Sequence, residues 1–272
     1  MLKNILATLY KNSHIIRNNK ITHKEIFNNY INQIGGNKKN IKIKYKKQIF
    51  TFEESNIDEE IYVLYSTDEL ECVYVVIHNS DKVAEIHGIS NYKTCVNITF
   101  SNLNVGSILL KLTIKMLKKY KNKFNINKII LVDNSLKQCK KYNIEFSTMM
   151  ILLNGHTWYG KYGFRPFDSD TYNLNKIKNK QYDNNITIMS SITIQESNLL
   201  EYIKLTKKEK LINDVIELLD KTPNYLLCNY IQSFLNKDNY NKTCKYFNMF
   251  YRELFDNIGL TNFRGSVFGL NI

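Results

Sequence analysis

Three successive stretches decide the fold: Val83-Ala84-Glu85-Ile86-His87-Gly88-Ile89-Ser90, then Val105-Gly106-Ser107-Ile108-Leu109-Leu110, then Lys128-Ile129-Ile130-Leu131-Val132. The first is short, alternating and rich in β-branched residues, and reads as a strand. After Gly106 the apolar period becomes helical. Ile108, Leu109, Leu112, Met116, Leu117 and Tyr120 form one face, with Lys111, Lys115, Lys118 and Lys119 outside it. Residues 128–132 read as a buried strand, closed by Asp133-Asn134-Ser135. Strand, helix and strand in succession imply a right-handed crossover and parallel pairing. Upstream, residues 41–52 (IKIKYKKQIFTF), 61–66 (IYVLYS) and 71–78 (ECVYVVIH) join 83–90 as consecutive antiparallel strands, parted by polar turns such as Asn79-Ser80-Asp81. The expected class is α+β: a mixed, mostly antiparallel sheet flanked by helices.

Residues 1–34 carry apolar side chains at helical spacing, and Gly35-Gly36 ends that segment. A second helical patch is expected over 147–162, and a closing hairpin from segments near 171–175 and 185–194. From 196 to 258 the period is helical again, interrupted at Thr222-Pro223, which suits an N-cap and a first-turn proline. The organisation read from these shifts is an N-terminal helical segment (1–38), a central domain (39–195) and a C-terminal helical extension (196–272).

A chain of 272 residues with 43% hydrophobic content is long and apolar enough to bury a core, which excludes a disordered tail. No apolar run approaches the roughly 20 residues needed to cross a bilayer, and the N-terminus lacks a signal-type apolar region, so a cytoplasmic location without membrane contact is expected. The formal charge is +13, yet only four basic residues are arginines, Arg17, Arg165, Arg252 and Arg264. Arginine supplies the planar fork that reads guanines and phosphates, so its scarcity counts against specific nucleic-acid readout. The excess charge still attracts a nucleotide-like anion. Cys72, Cys95, Cys139, Cys228 and Cys244 show no C-x-x-C spacing, and no histidine pairs with a cysteine or carboxylate at metal-ligand spacing. Free, mostly buried thiols and no metal are the expectation.

Two local features stand out. The junction Ser101-Asn-Leu-Asn104-Val105-Gly106-Ser107 opens a helix, where unpaired N–H groups and the positive end of the macrodipole suit a pyrophosphate. The run Gly155-His-Thr-Trp158-Tyr159-Gly160-Lys161-Tyr162-Gly163-Phe164-Arg165-Pro166 gathers the single Trp, one of the two prolines and a dense set of aromatics and glycines.

The strand succession, the V-G-S-I-L-L helix start, the I-I-L-V strand and the Y-x-x-x-G-F of Tyr159 and Gly163-Phe164 resemble the GNAT superfamily of acyl-CoA N-acyltransferases, over roughly residues 40–195. The resemblance implies a GNAT-like sheet and an acetyl-CoA-dependent N-acetyltransferase, with the acetyl group passed directly to an amine on a small molecule or a protein. Glu85 matches a base position and His87 shares its strand face; Tyr159 matches the general acid. Acetyl-CoA would lie against Ile89, Ser90, Asn104, Val105, Gly106, Ser107 and Asn134. The phosphate loop departs from the family, with Ser101 and Asn104 where it has Gln/Arg and the first Gly, and an insertion is expected around 136–154. The alternative is a catalytically inactive GNAT-like binding or structural module.

Overall fold

The structure, a computed structural model, describes residues 39–46, 48–54, 61–65, 71–90, 93–95, 105–139, 142–236 and 240–272. The expected N-terminal helical segment and Asn104 lie outside these residues. The chain is α+β and divides into two compact units, Met1–Ile130 with Asn271–Ile272, and Leu131–Leu270.

In the first unit five strands form an antiparallel meander: β1 (Lys39–Tyr45), β2 (Gln48–Glu54), β3 (Ile61–Tyr65), β4 (Glu71–His78) and β5 (Val83–Ile89). Residues 41–52 were expected as one strand and hold two. Lys46 takes a left-handed backbone (φ 53°) and the register pairs Tyr45 with Gln48, so the chain reverses inside a run whose lysines hide the turn. After β5 comes helix α1 (Val105–Lys119), then β6 (Lys128–Val132) beside β5 in the sheet order. The Asn127 N–H donates to the Lys82 carbonyl at 2.8 Å, so β5 and β6 start side by side.

Alternation gives the sheet two unlike faces. One carries Ile41, Ile43, Phe52, Tyr62, Val73, Val75, Ile77, Ala84 and Ile86, all buried. The apolar stripe of α1, including Leu109, Leu112 and Met116, covers this side, where the Tyr62 and Phe124 rings stand 4.3 Å apart. The other face has a small apolar cluster of Val63, Tyr74 and Val76, and then becomes polar at Glu85.

The second unit holds a hairpin, β7 (Leu136–Cys139) with β8 (Tyr142–Glu145), and helices α2 (Phe146–Asn154), α3 (Lys176–Ser191), α4 (Leu199–Lys204), α5 (Glu209–Lys221), α6 (Leu227–Asn236) and α7 (Tyr240–Asn257). The short strand β9 (Arg165–Pro166) pairs antiparallel with β10 (Val267–Asn271), so the C-terminal part is not helical throughout. Phe164, Phe247, Phe250, Tyr251, Phe263 and Phe268 build its core.

Several expectations over this unit are corrected. The helical patch over 147–162 stops at Gly155, whose left-handed backbone (φ 75°) caps α2. A hairpin was expected where α3 stands. Asn175 accepts from the Lys178 N–H and starts that helix, and Tyr182, Asn185 and Met189 are buried at helical spacing, so packing overrides the strand preference of its Ile and Thr residues. Thr222 is the C-cap of α5 and not an N-cap; Pro223 stops that helix, and the next begins at Leu227.

The cysteines are also corrected. Cys72 bonds Cys95 within the first unit and Cys139 bonds Cys244 within the second, leaving Cys228 free. The partners are 23 and 105 residues apart, so no local spacing announced them.

Gly269 faces the ring of Phe167, and a Cβ there would come within 2.2 Å of it. The ring cannot give way without moving backbone. Gly269→Ala is expected to lower unfolding stability by about 1–3 kcal/mol in a urea titration; unchanged stability would contradict this β9–β10 packing.

Candidate functional site

The site grows out of the β4–β5 hairpin. Turn residues Asn79 to Lys82 are held by Asp81 N–H to His78 O (3.2 Å) and Lys82 N–H to Asn79 O (3.3 Å), with Lys82 left-handed (φ 55°). This turn pairs His78 with Val83, Ile77 with Ala84 and Val76 with Glu85. His78 therefore stands diagonal to Glu85 on one face. The register then slips: Val75 pairs with Ile86 and Tyr74 with Gly88, so His87 has no residue opposite it. This is a β-bulge, which turns a side chain away from strict alternation.

The bulge brings His87 back to Glu85. Glu85 Oε2 lies 3.0 Å from His78 Nε2 and 3.3 Å from His87 Nε2. The His87 ring also meets the Tyr74 ring edge-on, 5.7 Å between centroids. Burial pushes the Glu85 carboxyl up, but hydrogen bonding with His78 and His87, and their positive charge when the rings are protonated, outweigh that and hold it down at about 2. Glu85 is thus a carboxylate at every working pH, already engaged by two imidazoles. His78 is half-buried and belongs to the cluster, and against the expectation of no metal-type pairing, His78, Glu85 and His87 do converge as metal-type donors. The signal was the turn: once Asn79-Ser80-Asp81-Lys82 is read as a four-residue hairpin loop, His78 must stand diagonal to Glu85.

The expected cofactor residues are placed as follows. Val105 opens α1 and is buried; Gly106 and Ser107 follow in its first turn, half-buried, with no acidic residue beside them. Ile89 ends β5, paired with Val73. The Ser90 N–H donates to the Cys72 carbonyl (2.8 Å) and its Oγ donates to the Glu71 carbonyl (2.6 Å), so both Ser90 donors are used within the hairpin.

Asn134 and Tyr159 belong to the second unit. Asn134 is exposed just after β6, and its N–H donates to the Val132 carbonyl (3.1 Å). Tyr159 caps a 3-10 turn at Gly160–Tyr162 and stands edge-on to Trp158 at 5.0 Å. Its hydroxyl faces Ser135, whose own Oγ donates to Asp133 Oδ1 at 2.6 Å. Asp133 is 1% exposed, and burial raises its pKa against the bonds from Ser135. Burial first, and the Asp133 charge second, push the Tyr159 phenol upward, so it is neutral at pH 7.

Glu71 lies on the same hairpin. Burial pushes its carboxyl up to about 7, and its Oε2 has no hydrogen-bond partner among the described residues. A folded pKa above the unfolded 4.5 means that the folded state binds the extra proton. Its contribution is complete below about pH 4.5 and is lost as pH rises through 7. Glu71→Gln is expected to raise stability at pH 8 by up to about 3 kcal/mol while changing it little at pH 4.5. Denaturant titrations at the two pH values check this; an equal effect at both would contradict it.

Compared with known proteins, the chain matches no family model, no curated protein and no solved structure.

Proposed function

We propose that the protein is an acetyl-CoA-dependent N-acetyltransferase of GNAT type. The observation that carries this reading is the bulge at His87, which sets an imidazole and a carboxylate side by side on the strand that precedes the helix crossover. A strand broken in this way, followed by a helix start free of acidic residues, supplies a proton acceptor and an anion site on neighbouring elements.

The chemistry assigns distinct roles. An amine with a pKa near ~10 is mostly protonated at neutral pH, so its proton must be removed before its lone pair attacks the thioester carbon. The sequence expectation favoured Glu85 as the base. A carboxylate held near 2 and bonded by two imidazoles is a weak acceptor, and imidazole is the side chain whose ordinary range lies near neutrality. Glu85 instead accepts the Nε2–H of His87, which leaves Nδ1 of that ring with the lone pair that takes the amine proton. The new C–N bond forms and the C–S bond breaks; the nitrogen gives its second proton, and His87 its captured one, to solvent. The thiolate takes a proton that the family resemblance assigns to the neutral phenol of Tyr159, which solvent then reprotonates. The N–H groups opening α1 hold the pyrophosphate.

One observation favours a second reading, an inactive module of the same shape. Both Ser90 donors are used within the hairpin, where the expected ligand contacts would need at least one of them.

A thermal-shift titration separates the two. CoA or acetyl-CoA at about 100 times its Kd adds roughly 2.7 kcal/mol, a rise of about 5 °C. No shift at millimolar concentrations of either would overturn the enzymatic reading. Given a shift, His87→Ala is expected to retain it while cutting kcat by about 100-fold, and Tyr159→Phe to do likewise. Turnover unchanged in either variant removes that residue from the mechanism.

A further inference from the structure

The geometry points to a site for a divalent transition-metal ion of the zinc class, held by His78 Nε2, Glu85 Oε2 and His87 Nε2. These three donor atoms lie within 4.8 Å of one another, and the two N···O separations are 3.0 and 3.3 Å. Zinc takes nitrogen and oxygen ligands at about 2.0–2.2 Å, which sets tetrahedral donors roughly 3.4 Å apart. The spacing already present is therefore close to that around a bound ion, without repacking the hairpin. Two imidazoles and one carboxylate suit zinc, cobalt or iron(II), and suit calcium or magnesium poorly, because those ions prefer all-oxygen shells. The ligands come from two hydrogen-bonded strands joined by a four-residue turn, so their backbone positions are set before an ion arrives. His87 is exposed, which leaves a coordination position open to water.

Metal loading changes the protons as well. Without metal, Glu85 accepts from the Nε2 atoms of His78 and His87. With metal, each Nε2 gives its lone pair to the ion, and each ring keeps its single proton on Nδ1. For His87 this removes the lone pair that the proposed acetyl transfer uses. The ion is thus a reversible inhibitor where that reading holds, and the binding itself does not depend on it.

Equilibrium dialysis with zinc chloride, and visible spectra with cobalt(II), test the site without CoA present. The expected result is one equivalent bound, a cobalt spectrum of four- or five-coordinate type without a thiolate charge-transfer band, and affinity reduced at least about tenfold in each of His78→Ala, Glu85→Gln and His87→Ala. Circular dichroism checks the fold of each variant. Should a variant unfold, X-ray absorption on the intact protein with one equivalent of zinc decides: two imidazoles with oxygen supports the site. Sulfur in the shell, unchanged affinity in the folded variants, or no binding at micromolar zinc would overturn it.

Discussion

One carboxylate shared by two imidazoles organises the polar face of the β4–β5 hairpin. Glu85 reaches His78 through the register of the turn and His87 through the slip in that register. Without the bulge, strict alternation would still place positions 85 and 87 on one face, but roughly 7 Å apart along the strand. Their side chains nevertheless meet, with His87 Nε2 at 3.3 Å from Glu85 Oε2. Burial alone would make Glu85 a poor carboxylate, and it stays ionised because both imidazoles stand against it. Removing either ring leaves a partly buried charge short of a partner, so the three residues stand or fall together. The opposite face has a simpler requirement, since apolar side chains under α1 provide the burial that keeps the hairpin in place.

The second unit follows another logic. Its core is aromatic, and several of its polar groups are gathered in local networks. Asn185 exchanges two hydrogen bonds with the backbone of Thr261, at 2.8 and 2.9 Å, as a strand partner would. Glu145 gathers Arg252, Arg264, Asn262 and Thr148, whose combined pull lowers its pKa against the effect of burial. Asp133 and Ser135 form the third such network, beside Tyr159. Burial keeps the Tyr159 phenol protonated.

Much of the fold was legible because it follows period and burial. The later strands of the meander, α1 and β6 stand where the apolar pattern put them, while the first run, 41–52, hid a turn between two strands. Errors arose where local chemistry was ambiguous. Ile186, Thr187 and Ile188 favour strand in isolation, while the helical spacing of Tyr182, Asn185 and Met189 carried the stronger signal. Thr222-Pro223 serves either end of a helix by residue type, and only the flanking periods separate the two. The disulfides were invisible for a different reason, because pairing across 23 and 105 residues depends on tertiary structure alone. In the site, Glu85 and His87 could be picked from their positions two apart, but His78 needed the turn length, and the bulge leaves no mark in composition. The low pKa of Glu85 could not be read at all, since it comes from its contacts with both imidazoles.

The measurement closest to the centre of this account is the ring tautomer of the two histidines, read by long-range proton–nitrogen NMR on metal-free protein with labelled imidazoles. Once the pH has been raised until the ring signals no longer move, His78 and His87 should each carry the proton on Nε2, with that proton shifted downfield by its bond to Glu85. In Glu85→Gln the downfield shift should be lost at both rings together. A His87 ring protonated on Nδ1, or a shift that survives the substitution, would contradict the shared carboxylate and the proton acceptor derived from it.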